Sequence, residues 1–250
     1  MAFSTRDYAR PYLAGGGLPQ GVKGLIIANS VVFLLMWLFG STEAVRVFAG
    51  LFSLVPADVV RRFFVWQLAT YLFLHGGFMH ILFNMLALWF FGKDLEDIWG
   101  TRRFLRFYFF CGIGAGLFVV LGNYLFGNPL IPTIGASGAI YGILLVAAVL
   151  WPDRIIIFYI FPIKLKYFVM ILGAIAFFSL RDLNSGVSDV AHLSGMLFGY
   201  VFLKSTTARK FDPVGPVLDG YRAWKLARAK RKFQVYLKKQ KGPDRDRWVN

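Results

Sequence analysis

Three histidines, one serine at the head of an apolar run and one asparagine are the residues of this 250-residue chain whose types and spacing suit them to chemistry. Ser137 follows a stretch of turn formers, Gly127, Asn128, Pro129, Pro132 and Gly135, and opens an uncharged run that reaches Trp151. His192 stands near the start of the last apolar run. His80 and Asn84 are four apart in an earlier one, which puts both side chains on one face of a helix. A serine hydroxyl is a weak nucleophile until a base removes its proton, and a neutral imidazole suits that task near neutral pH. Backbone amides at the start of a helix opened by Ser137, joined by His80 and Asn84, are suited to hold the oxyanion of a tetrahedral intermediate. The chemistry in prospect is acyl transfer by a Ser137–His192 dyad.

Each residue also has a plainer reading. A serine after a Pro and Gly turn caps a helix, and Gly138 with Gly142, or Gly195 with Gly199, has the spacing of glycines that let helices pack closely. Their conjunction carries more weight. His192, Gly195 and Gly199 share a face, so a helix bearing them can approach one bearing Gly138 and Gly142 and bring the imidazole to Ser137. Tyr141, one turn after Ser137, offers an aromatic face to that imidazole. Asp189 precedes His192 by three residues, close enough in sequence to lie near it, but is expected to end a solvated loop. His75 receives no role, and Cys111, the one cysteine, is expected to serve packing and excludes an internal disulfide.

The elements that must position these groups follow from composition. The chain is 57% hydrophobic and only 16% charged, above the apolar share of about 45–50% usual in soluble domains. Crossing a hydrocarbon core takes roughly 20 apolar residues of helix, and that length divides the chain into six expected spans: 22 to 40, 78 to 92, 107 to the Gly127 turn, Ser137 to Trp151, 167 to 180, and 190 to 203. The fold class expected is all-α, a polytopic bundle of six transmembrane helices. Lys93 to Arg106 reads as a mixed-charge turn, and Arg154 to Lys166 reads as an interfacial segment turning at Pro162. The fourth span is shorter than the bilayer core, so Ser137 is expected below the membrane surface.

Lys and Arg accumulate at the ends expected to be cytoplasmic, which places both termini inside, although the loop after the first span carries three Arg. The second, fourth and sixth spans then run inward, and all three histidines fall near their outer ends. Three regions are expected: a cytoplasmic segment 1–21, a membrane domain 22–204 and a basic cytoplasmic tail 205–250. From Lys204 onward fourteen Lys and Arg face four Asp, so the net charge of +15 lies mostly outside the membrane body and does not imply nucleic acid. The tail, with Tyr221, Trp224, Phe233 and Tyr236 among its basic residues, reads equally as an amphipathic helix on anionic lipid or as a disordered, topology-enforcing tail.

In these motifs, HGGFMHILFN, GASGAIYG and AHLSG in that order, the sequence resembles the rhomboid family of intramembrane serine proteases in its six-span bacterial form, over roughly residues 20 to 204. The resemblance implies Ser137 as nucleophile and His192 as general base. It implies an oxyanion site of the Ser137 amide, His80 and Asn84, with Tyr141 stacked beneath His192. Glu96, Gly100 and Arg103 resemble the polar cluster that the family places after the second span. A Trp-Arg pair common in the first external loop of bacterial members is absent, with Arg61, Arg62 and Trp66 only nearby. The implied substrates are transmembrane segments of other proteins, in a bacterial inner (plasma) membrane, and no metal or organic cofactor is expected. The rivals are a non-cleaving pseudoenzyme, which should lack one of the two reactive residues, and a small-solute transporter, which should show an inverted repeat.

Overall fold

The computed structural model describes residues 17–40, 42–158, 160–180, 187–207 and 228. The chain divides into two units, 1–204 and 205–250, and the first contains His80, Asn84, Ser137 and His192. Apart from residue 228, the stretch of the tail read as an amphipathic helix, and most of segment 1–21, lie outside the described residues.

Helix α1 (Gln20–Leu38) has no side-chain cap of its own at Pro19. Its first amides are taken instead by Glu96, whose carboxylate accepts from Gly21 N at 2.8 Å and Val22 N at 2.7 Å and also from Thr101 Oγ1 at 2.6 Å. An acidic group at a helix N-terminus satisfies orphan amides and opposes the positive end of the helix dipole. The following loop contains α2 (Glu43–Phe52), begun by Thr42 accepting from Val45 N, and α3 (Pro56–Arg61), begun by proline at its first position.

The segment expected as the second span is longer and more broken than its apolar run suggests. It begins with α4 (Gln67–Thr70) and a 3-10 turn (Tyr71–Phe73), bends by 99°, and resumes as α5 (Phe78–Ala87). It then passes through a π-helical turn (Leu88–Gly92) directly into α6 (Lys93–Trp99). The expected turn at Lys93 is therefore helix, with Lys93 and Asp97 paired one turn apart at 3.3 Å. The break comes at Gly100, whose φ of 77° suits glycine, and α7 (Thr101–Phe126) starts there rather than at Phe107.

After the turn-former segment, α8 (Ser137–Leu150) begins at the expected residue. The segment read as turning at Pro162 is instead an antiparallel hairpin, β1 (Ile155–Phe158) and β2 (Phe161–Lys164), with Pro162 inside a strand opposite Ile157. Three consecutive β-branched isoleucines favour extended backbone, and proline is tolerated because both strands are edges. Helices α9 (Leu165–Ser179) and α10 (Val187–Thr207) complete the helical body.

The core lies around α7 and α8, where Phe104, Phe107, Tyr108, Ala139, Ile143 and Ala147 are buried. Outward faces stay apolar: Trp37 on α1 is 70% exposed and Phe178 on α9 is 67% exposed. Such faces are stable only against hydrocarbon, and the chain is an integral membrane protein with a helical-bundle fold. By length and composition two described helices, α1 and α7, are able to cross a bilayer alone, and a third if the bent pair is one span. Six spans therefore stays a proposal.

Candidate active site

The site is built on the turn before α8. Leu54 and Thr133 exchange two backbone hydrogen bonds, at 3.0 and 2.9 Å, and Ala57 N donates to Pro129 O at 2.9 Å. These bonds fasten the turn to the loop after α2. Gly135 N donates to Tyr71 O at 2.9 Å, while the Tyr71 hydroxyl donates to Gly112 O on α7 at 2.7 Å. One buried tyrosine thus ties the bend before α5 to both the turn and the long central helix. Gly135 has φ 120°, and a Cβ there would meet His80 Nε2 at 2.7 Å, so only glycine fits and His80 is set beside the turn.

Ser137 does not cap α8. Among the described residues no side chain caps that helix, whose N-cap position is Ala136, and Ser137 Oγ lies 2.9 Å from His192 Nε2. The two helices meet because four glycines remove side chains from the contact. A Cβ on Gly195 would fall onto the carbonyl oxygen of Gly138, and one on Gly199 would lie 2.8 Å from that of Gly142. Gly138 and Gly142 in turn face Ala191 O and Gly195 O. The cysteine sits in the same seam, with Cys111 buried and its Sγ against Gly142.

The imidazole of His192 is fixed on two sides. Tyr141 stacks on it with ring centroids 4.0 Å apart and planes 6° from parallel. Its Nδ1 lies 3.5 Å from Asp189 Oδ1, near it but not in hydrogen-bonding geometry. Asp189 therefore belongs to the first turn of α10 and borders the imidazole, where the sequence reading put it in a solvated loop.

Across the site, α5 supplies His80 and the buried Asn84. Asn84 Nδ2 donates to the His80 carbonyl at 2.6 Å, and Gly76 N approaches His80 Nδ1 at 3.4 Å. Among the described residues neither side chain is hydrogen-bonded to Ser137 or His192. His75, which the sequence left without a role, is 4% exposed and packs edge-on against the His80 ring at 4.9 Å.

Two contributors escaped sequence reasoning. Tyr71 is one tyrosine in an uncharged run, although a phenol in an apolar interior must find a partner. Gln67, fully buried, accepts from Val55 N and donates toward Gly50 O and Leu51 O. An amide isolated among apolar residues was its signal. At the other end of α5 and α6 the Glu96, Gly100 and Arg103 cluster takes definite form. Gly100 N donates to Glu96 O at 2.7 Å, and the Arg103 guanidinium lies 4.9 Å over the Trp99 ring.

Comparison with known proteins agrees in one direction. Residues 62–208 match the sequence model of the Rhomboid domain. A rhomboid relative from Bacillus subtilis is 33% identical over 139 residues, 54% of this chain and 64% of its own. Rhomboid protein 1, mitochondrial, of Saccharomyces cerevisiae is 33% identical over 133 residues, 52% of this chain and 38% of its own. Rhomboid protease AarA of Providencia stuartii is 31% identical over 150 residues, 54% of this chain and 53% of its own. The matched stretch thus spans less than two thirds of each of these relatives.

Proposed function

Because the chain belongs to the rhomboid family, we propose that it is an intramembrane serine endopeptidase that cleaves membrane-spanning segments of other proteins with Ser137 and His192. The observation that carries this reading is the 2.9 Å approach of Ser137 Oγ to His192 Nε2, at the start of a 14-residue helix that covers only about 21 Å at 1.5 Å per residue. A nucleophile at the head of so short a helix lies below the lipid headgroups, where a substrate helix can reach it.

The reaction divides into acylation and hydrolysis. His192 Nε2 takes the Ser137 proton as Oγ attacks the substrate carbonyl carbon, and the carbonyl π electrons move onto oxygen. The Ser137 amide, His80 and Asn84 receive that oxyanion. The imidazolium then gives its proton to the leaving amine, and water repeats the sequence on the ester. A peptide bond inside a helix is shielded by its own hydrogen bonds, so substrate spans rich in Gly, Pro and other weak helix formers are favoured.

The proposed setting is a bacterial inner membrane, with six spans and both termini cytoplasmic. The basic tail 205–250 is then available to anionic lipid. A serine-directed fluorophosphonate tests the reading: it should label Ser137 in wild type and fail to label His192→Ala. Membrane-protein fragments that appear with wild type should vanish with Ser137→Ala, as seen by mass spectrometry. Equal cleavage by wild type and Ser137→Ala, or an unreactive Ser137 in folded protein, would leave a rhomboid-like protein that binds membrane helices without cutting them.

A further inference from the structure

Resting on that reading, we infer that Asp189 is a positioning residue of the site, holding the His192 proton on Nδ1 and balancing the positive ring formed when Nε2 takes the serine proton. Asp189 and His192 are three apart in the first turns of α10, so they share a face. Oδ1 and Nδ1 are 3.5 Å apart, and the two side chains are only 18% and 17% exposed. Nδ1 is screened from solvent and, among the described residues, has no hydrogen-bond partner.

The tautomer requires an explanation. For Ser137 to donate its proton to Nε2, that nitrogen must be bare, which puts the single proton of the neutral ring on Nδ1. A buried N–H without an acceptor favours the opposite tautomer, in which Nε2 carries the proton and the serine loses its base. Among the described residues, the groups facing the ring from every packed element are few. Ser137 and Tyr141 come from α8, the latter presenting its ring face, and His80 stands on α5 across the site. Among the described residues, Asp189 is the carboxylate paired with His192. A small rotation of its carboxyl group closes the remaining gap, and catalytic hydrogen bonds commonly shorten when substrate binds.

The proton balance then runs through three groups. The serine proton moves to Nε2 while the Nδ1 proton stays in place, and the imidazolium carries one positive charge. Asp189 remains ionised and opposes that charge, and the Nε2 proton leaves with the amine. Asp189 itself neither gains nor loses a proton.

The test measures kcat and KM against pH for the full chain in lipid vesicles, with a Gly-containing transmembrane peptide as substrate. Asp189→Ala is expected to lower kcat by about ten- to a hundredfold with KM little changed. The acid limb of its pH profile should move to lower pH, because a ring without its carboxylate neighbour protonates less readily. Asp189→Asn keeps an acceptor of the same shape without the charge, so its kcat should lie between the two with the acid limb still displaced. Wild-type kcat in both variants, or a loss of kcat with an unmoved acid limb, would overturn the inference, the second by marking a packing defect. Should Asp189→Ala fail to fold, Asp189→Asn alone decides by its acid limb. Ser137→Ala in the same assay separates the two failures: if it cleaves like wild type, the protease reading falls and this inference with it.

Discussion

The Tyr141 ring lies parallel to the His192 imidazole at 4.0 Å, so the plane of the proposed base is set by a residue of the same helix as the proposed nucleophile. An aromatic pair of this kind contributes about 0.5–1.5 kcal/mol beyond burial, which corresponds to at most about tenfold in rate. Tyr141→Phe keeps the ring and is expected to cleave within about twofold of wild type. Tyr141→Ala should lose up to about tenfold in kcat with little change in KM. Steady-state cleavage of a transmembrane peptide measures both, and a Tyr141→Phe as impaired as Tyr141→Ala would assign the effect to the hydroxyl instead.

The glycines of α8 and α10 are where stability and chemistry meet. A Cβ on Gly195 would fall onto the Gly138 carbonyl oxygen, backbone that cannot swing aside as a side chain can. Gly195→Ala is therefore expected to cost about 1–3 kcal/mol through overpacking and to lower cleavage by moving His192 from Ser137. Gly24→Ala is the control, because among the described residues nothing lies within 4 Å of a Cβ there and alanine is the better helix former by about 0.5–1 kcal/mol. Thermal unfolding in detergent should fall for the first and hold or rise for the second.

Much of this seam was legible in the sequence, because spacing by three and four residues survives any error in helix boundaries. The start of α8 was legible too, since Gly127, Asn128, Pro129 and Pro132 leave the backbone little choice but a turn. The hairpin after α8 was not. Ile155, Ile156 and Ile157 are apolar in a helix or a strand alike, and periodicity cannot separate the two over so short a run. The charged stretch from Lys93 hid a helix because its charges have partners within the fold: Lys93 pairs with Asp97, Asp94 with Arg154, and Glu96 with the first amides of α1. Asp189 was misplaced for a related reason: a carboxylate beside an apolar run looks like its end unless the imidazole that justifies it is in view.

At the opposite end of the bundle from Ser137, the Glu96 carboxylate accepts from Gly21 N, Val22 N and Thr101 Oγ1 while only 2% exposed. It stands in for the N-cap that α1 lacks. Glu96→Ala leaves two buried amides without partners, each costing about 1–3 kcal/mol, so a substantial fall in the unfolding midpoint is expected. Glu96→Gln offers one oxygen where the carboxylate offers two and should lie between alanine and wild type. Unfolding of Glu96→Ala at the wild-type midpoint would show that water replaces the cap.

The last prediction concerns the proposed oxyanion donors, whose effects on rate should be unequal to that of the proposed dyad. Asn84 already donates one of its two amide protons to the His80 carbonyl, which fixes the side chain, and the proposed oxyanion role falls to the second proton. That bond costs nothing to reorganise when charge develops, and such preorganisation is what makes a donor effective. Removing one donor lowers kcat by about 10² to 10³ at most, so Asn84→Ala and His80→Ala should each remain measurable while Ser137→Ala does not. The His80 ring also fills the space that a Cβ at Gly135 would occupy, so His80→Ala should lose stability as well as rate, whereas Asn84→Ala should lose mainly rate. Parallel measurement of kcat and unfolding midpoint distinguishes them. An Asn84→Ala variant at full wild-type kcat would remove that side chain from the oxyanion site.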